Sequence, residues 1–171
     1  LYDNTNDKNF EDIILNISSN IKGFLFNKLI RRECIDYCFD ESIYLKEDLY
    51  FLLKNRAKIK KTDFINDIIY NYRVRNNSLS HSNSKNIKHI SELDVDKYIC
   101  ESIESKYSNE YKILFFEEYF ELKYFLSKEE KKYLKENYES LQNQYYKELI
   151  KSNDFEIMYK IRLFIHKHFP T

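Results

Sequence analysis

"NEYKILFFEEYFELKYFLSKEE", residues 109–130, decides the fold class. Over 109–126 the apolar side chains run almost all the way round a helix, the pattern of a helix enclosed by other elements. Ser127 then stands three residues before Glu130. In that pairing the hydroxyl accepts the backbone N–H of the third helical residue, and the carboxylate reaches back to the cap's own N–H. A second, long helix therefore opens at Ser127, with Leu134, Tyr138, Leu141, Tyr145 and Leu149 turned toward the core. Composition excludes the alternative: one Gly and one Pro in 171 residues leave almost nothing that accepts a positive φ, which hairpins require. An all-α fold is expected. Sixteen Tyr and 13 Phe supply ring surface for its core.

Working outward, Asn153 with Glu156 forms a second such box, opening a final helix with Ile157, Met158, Ile161, Phe164 and Ile165. Toward the N-terminus, Phe10, Ile13, Ile14, Ile17, Ile21, Phe24, Leu25 and Leu29 make one helical stripe. Gly23 lies within it, tolerable where a neighbouring helix packs close. Residues 31–47 hold a short helix and a bend near Asp40. Leu49, Leu52 and Leu53 start a second stripe, running into "KNRAKIKK" (54–61). Thr62 or Asp63 caps a third, with Phe64, Ile65, Ile68, Ile69 and Tyr72. A polar loop follows over 82–89, in which His89 is exposed. Ser91 or Asp94 then caps a helix carrying Val95, Tyr98, Ile99 and Ile103. The expectation is one continuous helical domain of about six to seven helices. Residues 1–8 form a polar lead-in, 9–105 a helical core, and 106–171 additional C-terminal helices packed on the same domain.

Twenty-eight basic and 28 acidic residues cancel. That argues against non-specific coating of nucleic acid but leaves room for a local basic groove. Three cysteines form no paired framework, which fits a reducing, cytoplasmic setting. Cys34 and Cys38 would share a helix face, but no third and fourth ligand are spaced for zinc, so both read as buried structural residues. No apolar run approaches the ~18 residues that span a bilayer, and no signal-peptide pattern opens the chain. No membrane partner is expected. The first residue is Leu rather than Met, as in a piece of a longer polypeptide.

One stretch is arranged for chemistry: "RVRNNSLSH", residues 73–81. On an unbroken helix Arg75 and His81 would point to different faces, ~9 Å apart along the axis. They can meet at one phosphate only if the chain leaves helical geometry, or if two copies face each other. Asn76, Asn77, Ser78 and Ser80 favour caps and turns and make a break plausible. Arg offers a planar fork that matches phosphate oxygens, and His exchanges a proton near neutrality. Such a pair suits RNA, whose 2′-hydroxyl attacks its own phosphate once a base takes its proton. The competing reading is a helix end capped by Asn and Ser, with Arg and His exposed. Beside the stretch, Lys54, Arg56, Lys58, Lys60 and Lys61 form either a phosphate-tracking rim or a solvated helix end. Arg73 could reach RNA or a neighbouring acid. His166 and His168 point to different helix faces, with nothing else to support a metal; Glu117, Glu118 and Glu121 could suggest acid–base work, but such residues more often form the polar strip of a buried helix or pair with Lys.

The run from Arg75 to His81 resembles the signature of the HEPN superfamily: an arginine, a polar residue (here Asn76), and a histidine after four to six intervening positions, here five. An apolar segment leads in ("DFINDIIYNYRVRNN") and a helical one follows ("ISELDVDKYICESI"). The resemblance covers roughly residues 10–105. Ser82 stands where members often have Gly. It implies an all-helical bundle that dimerises around two motifs, and a metal-independent, cofactor-free ribonuclease of the kind found in toxin–antitoxin, abortive-infection and CRISPR systems. Carried over, Arg75 and His81 would be catalytic, and Asn76 would orient the motif or contact RNA. The chain is also similar to the C-terminal HEPN domain of AbiA-type abortive-infection proteins, where a reverse-transcriptase-like polymerase precedes it. The alternative is a HEPN-like module without catalysis, binding RNA or docking a polymerase or partner.

Overall fold

The computed structural model describes residues 9–18, 22–65, 70–71, 85–103 and 106–152. Among them every regular element is helical, and the fold is all-α. The chain groups into two compact units, Leu1–Asn83 and Ser84–Thr171.

Among the described residues the second unit holds three α-helices: α3 (Ile90–Ser102), α4 (Ser108–Phe125) and α5 (Lys128–Lys151), with α4 packed on both of the others. The expected box forms at the α4–α5 corner. Glu130 Oε2 accepts from Ser127 N at 2.9 Å, and Ser127 Oγ accepts from Glu130 N at 3.4 Å. Leu134, Tyr138, Tyr145 and Leu149 of α5 are buried, and Leu141 is half-buried. Phe115, Phe116 and Leu122 of α4 have no exposed surface; each such side chain contributes roughly 1.5–3 kcal/mol by leaving water. Phe115 meets Tyr145 edge-on at 5.2 Å. Enclosure of α4 is not complete, because Tyr124 and Phe125 at its end are 69% and 46% exposed. α3, which ends before residue 105, packs against α4 beyond it.

The start of α3 differs from expectation. A short 3-10 turn, Ile87–His89, precedes it, and Asn86 is the cap. Asn86 Oδ1 accepts from Lys88 N, while His89 Nδ1 accepts from Asn86 N at 3.1 Å. His89 is therefore buried (6% exposed) rather than solvated. Ser91 and Asp94 are used otherwise: Ser91 Oγ donates to Lys88 O, and Asp94 accepts from Tyr138 Oη at 2.8 Å.

In the first unit the N-terminal stripe does not make one helix. α1 covers only Phe10–Leu15, capped by Asn9, whose side chain accepts from Glu11 N and Asp12 N. Asn16 leaves helical geometry (φ −69°, ψ 100°), and its Oδ1 takes Ser18 N at 3.1 Å. That local bond is the competitor that ends asparagine-containing helices. Residues 22–28 are turns: Phe24 N donates to Lys22 O, Lys28 N to Leu25 O, and Leu25 N to Asp48 Oδ2. Leu29 consequently stands 87% exposed. Gly23 does have a close neighbour, as expected, but at a turn. A Cβ there would lie 2.8 Å from Leu49 Cβ and Cδ1.

α2 (Glu47–Asn55) packs on α1 and buries Leu49, Phe51, Leu52 and Leu53. Before it, Arg32–Cys34 makes a 3-10 turn, and the expected bend at Asp40 is held by Ser42 N and Oγ donating to Asp40 Oδ1. With no helix over 34–38, Cys34 is half-buried and Cys38 exposed, against the expectation of two buried cysteines. Asn55 fastens the end of α2 to residues 36–37. Its Oδ1 accepts from Asp36 N and Tyr37 N, and its Nδ2 donates to Tyr37 O and Phe51 O. Residues 61–65 and 70–71 are irregular, so Thr62 and Asp63 cap no helix within the described residues. The remainder of that stripe (66–69 and 72) and the final helix beyond residue 152 lie outside them.

Candidate nucleic-acid interface

Arg73, Arg75, Asn76 and His81 fall within 72–84, outside the described residues, as do His166 and His168. The basic run beside the motif is described, and its geometry sorts its five cations into two kinds. Arg56 is structural. Its Nε donates to Glu11 Oε1 at 2.8 Å and its Nη1 to Leu53 O at 2.7 Å, tying α1 to the end of α2. Lys54 lies over the rings of Tyr37 and Tyr50, at 5.1 and 5.8 Å from their centroids.

Lys58, Lys60 and Lys61 are the outward set. Lys58 closes the 3-10 turn Arg56–Lys58; Lys60 and Lys61 follow in irregular chain, and all three are exposed. Lys58 Nζ sits 3.0 Å from Asp36 Oδ2, and Lys61 Nζ 3.7 Å from Asp63 Oδ2. The Lys61 pair is 84% and 78% exposed, the Lys58 pair 55% and 48%. Exposed pairs of this kind contribute about 0–1 kcal/mol, so a phosphate can displace either carboxylate at small cost. These lysines can therefore follow a backbone phosphate, but with no strong standing field, since the neighbouring acids offset them.

Elsewhere the ionisable groups are tuned by burial. The Lys28 ammonium is pushed down to about 8 by burial, against the pull of Asp48. It donates to Lys22 O, Phe24 O and Asn27 Oδ1 at 2.5, 2.6 and 2.7 Å. Burial, then the Asp96 carboxylate, pushes the Cys100 thiol up to about 12, while Cys100 Sγ donates to Ser108 O. That thiol is not a nucleophile. Burial and the Asp94 carboxylate hold the Tyr138 phenol well above its ordinary value. Glu121 pairs with Lys85 at 2.9 Å, the use expected of a polar strip. His89, with Nδ1 accepting its cap's N–H in a buried site, is placed for structure rather than proton transfer. The sequence carried a sign of this that the reading passed over: Asn86 three before His89 at the foot of a helix is a capping-box spacing.

Among the described residues no group of His, Cys, Asp and Glu could hold a metal ion, and no helix is long and apolar enough to cross a membrane. No family model matches the chain, and no match emerges from the curated proteins or the solved structures.

Proposed function

We propose that this chain is a metal-independent endoribonuclease domain of HEPN type, belonging to a cytoplasmic bacterial defence protein of the abortive-infection or toxin class. The observation that carries the reading is the run from Arg75 to His81 in an all-helical chain. Arg75 clamps the scissile phosphate and stabilises charge in the transition state; His81 moves the proton at the 2′-hydroxyl or the leaving oxygen. Asn76 and Arg73 contact RNA beside them. Lys58, Lys60 and Lys61 track the strand, a role their exposure supports. Because Arg75 and His81 do not share a helix face, the site is completed by a break in the chain or by a second copy, and a homodimer is the form proposed. An N-terminal polymerase domain in the same polypeptide is the proposed partner.

A second reading has its own support. Zero net charge, and the engagement of Arg56, Lys58 and Lys61 with acids of the same unit, favour a HEPN-like module that binds RNA or docks a partner without cutting. Cleavage of single-stranded RNA and tRNA in EDTA separates the two. The wild type should leave 2′,3′-cyclic phosphate and 5′-hydroxyl ends, and His81→Ala and Arg75→Ala should not. Equal cleavage by all three removes the catalytic assignment; no cleavage with retained binding supports the second reading.

A further inference from the structure

Three aromatic side chains of the first unit form a ladder on its surface. Phe24 stacks on Phe26 with centroids 5.2 Å apart and planes 25° apart; Phe26 stacks on Tyr70 at 5.2 Å and 26°. Phe24, Phe26 and Tyr70 are 40%, 39% and 52% exposed. Lys22 Nζ lies 5.3 Å from the Phe24 centroid, placing a cation at that end. The turn that presents the phenylalanines is fixed. Gly23 is pressed onto Leu49, Lys28 spends three donors on the turn, and Asp48 holds Leu25 N.

Half-wet rings forgo much of the stabilisation that burial would give them, so such a stack on a braced turn calls for a use. Its geometry narrows the choice. A near-parallel, offset stack is lengthened by another planar π system, whereas proline-rich peptides dock in aromatic-lined grooves, which rings stacked on one another do not leave between them. Nucleobases are planar, every base has a π face, and a strand carries phosphates for a neighbouring lysine.

We propose that the Phe24–Phe26–Tyr70 ladder is a stacking platform for an unpaired base of single-stranded RNA, with Tyr70 offering the receiving face and Lys22, at the opposite end of the ladder, meeting a phosphate further along the strand. The proposal rests on the reading that the chain handles RNA, but it concerns residues separate from Arg75 and His81 and can fail alone. The test uses the full chain carrying His81→Ala, so that the probe survives. It is titrated with an oligouridine of about ten nucleotides, within the span of a single-strand site, bearing one central 2-aminopurine. Binding should quench the probe. Tyr70→Leu, at a half-exposed position, should raise Kd by about 5- to 150-fold, the range supplied by stacking one base, and weaken the quench; Phe24→Leu, two rings from the base, should do both to a smaller extent. Lys22→Ala should lower the salt dependence of Kd. Unchanged Kd and quench in both ring variants overturn the platform and leave the RNA reading standing. Absence of any binding by the parent overturns both. Displacement of the probe by a proline-rich peptide but not by unlabelled oligouridine also overturns it.

Discussion

Asn55→Ala should cost the first unit about 3 kcal/mol, although Asn55 touches no candidate functional residue. The side chain is 1% exposed and uses its full hydrogen-bonding capacity, two acceptances and two donations. Truncation strands the amides of Asp36 and Tyr37, part-buried donors with no other partner supplied by the variant, at about 1 kcal/mol each. The carbonyls lose less, since each keeps a second lone pair, and the vacated volume adds roughly 1 kcal/mol. For a unit of this size each kcal/mol moves Tm by about 4–8 °C, so a fall of roughly 12–24 °C is expected by circular dichroism. Hydrogen exchange should accelerate specifically at Asp36 and Tyr37. Asn55→Asp sharpens the test. Its carboxylate could still accept from both amides but would face Tyr37 O and Phe51 O with no donor, so burial and those carbonyls would raise its pKa in the folded state. Stability held by the protonated form is then present below the ordinary value of about 3.9 and lost as pH rises through the raised one. The Asp variant should thus be closer to wild type at pH 4 than at pH 7. A loss under about 1 kcal/mol in Asn55→Ala, with both amides still protected, would refute the assignment.

Two further outcomes follow from the second unit. With its thiol pushed up to about 12, Cys100 holds far less thiolate at pH 8 than an ordinary thiol, so it should alkylate at least about a hundredfold more slowly in the folded chain than in urea. Exposed Cys38 should label first, and peptide mass spectrometry distinguishes them; fast labelling of Cys100, which is half-buried, in the folded chain would contradict its raised pKa. The backbone and hydroxyl of Ser127 hold the Glu130 carboxyl below its ordinary value. What that carboxylate contributes is present above its unfolded value, near 4.3, and lost as pH falls through the lowered one. Ser127→Ala should cost about 1 kcal/mol and move the Glu130 titration, followed by NMR, back toward 4.3.

What could be read from the chain depended on the range of the signal. The α4–α5 corner was legible because its box spans three residues and its apolar positions repeat at helical spacing. The N-terminal stripe misled because periodicity reports where side chains would lie if a helix formed. It does not weigh Asn16, whose own carbonyl oxygen offers Ser18 a competing bond. Nor does it see Asp48, which takes the Leu25 amide from 23 residues away. Asn55 gave no warning at all: polar at the end of an apolar helix, it reads as exposed until residues 36–37 are brought against it. Cys38 failed for the same cause, since its burial was inferred from a helix that does not form.

The candidate site divides along the same line. Lys58, Lys60 and Lys61 were visible as a run, but whether a lysine is available to phosphate depends on partners the run does not contain. Asp36, 22 residues before Lys58, turns that cation into a displaceable pair. The ring ladder was hidden for a related reason: its members come from 24–26 and 70, far apart in the chain, and of the three only Phe24 lies on an expected apolar stripe. One constraint joins the ladder to the motif. Tyr70 precedes Arg75 by five residues, and five residues span at most about 18 Å however the chain runs. On the proposed RNA reading, a base stacked on Tyr70 would therefore lie within a few nucleotides of Arg75 in the same copy, whether His81 comes from that copy or from another. The platform would then set which base lies near the scissile phosphate. If the chain cuts RNA as proposed, substituting Tyr70 should change where the RNA is cut, and substituting His81 should abolish the cut.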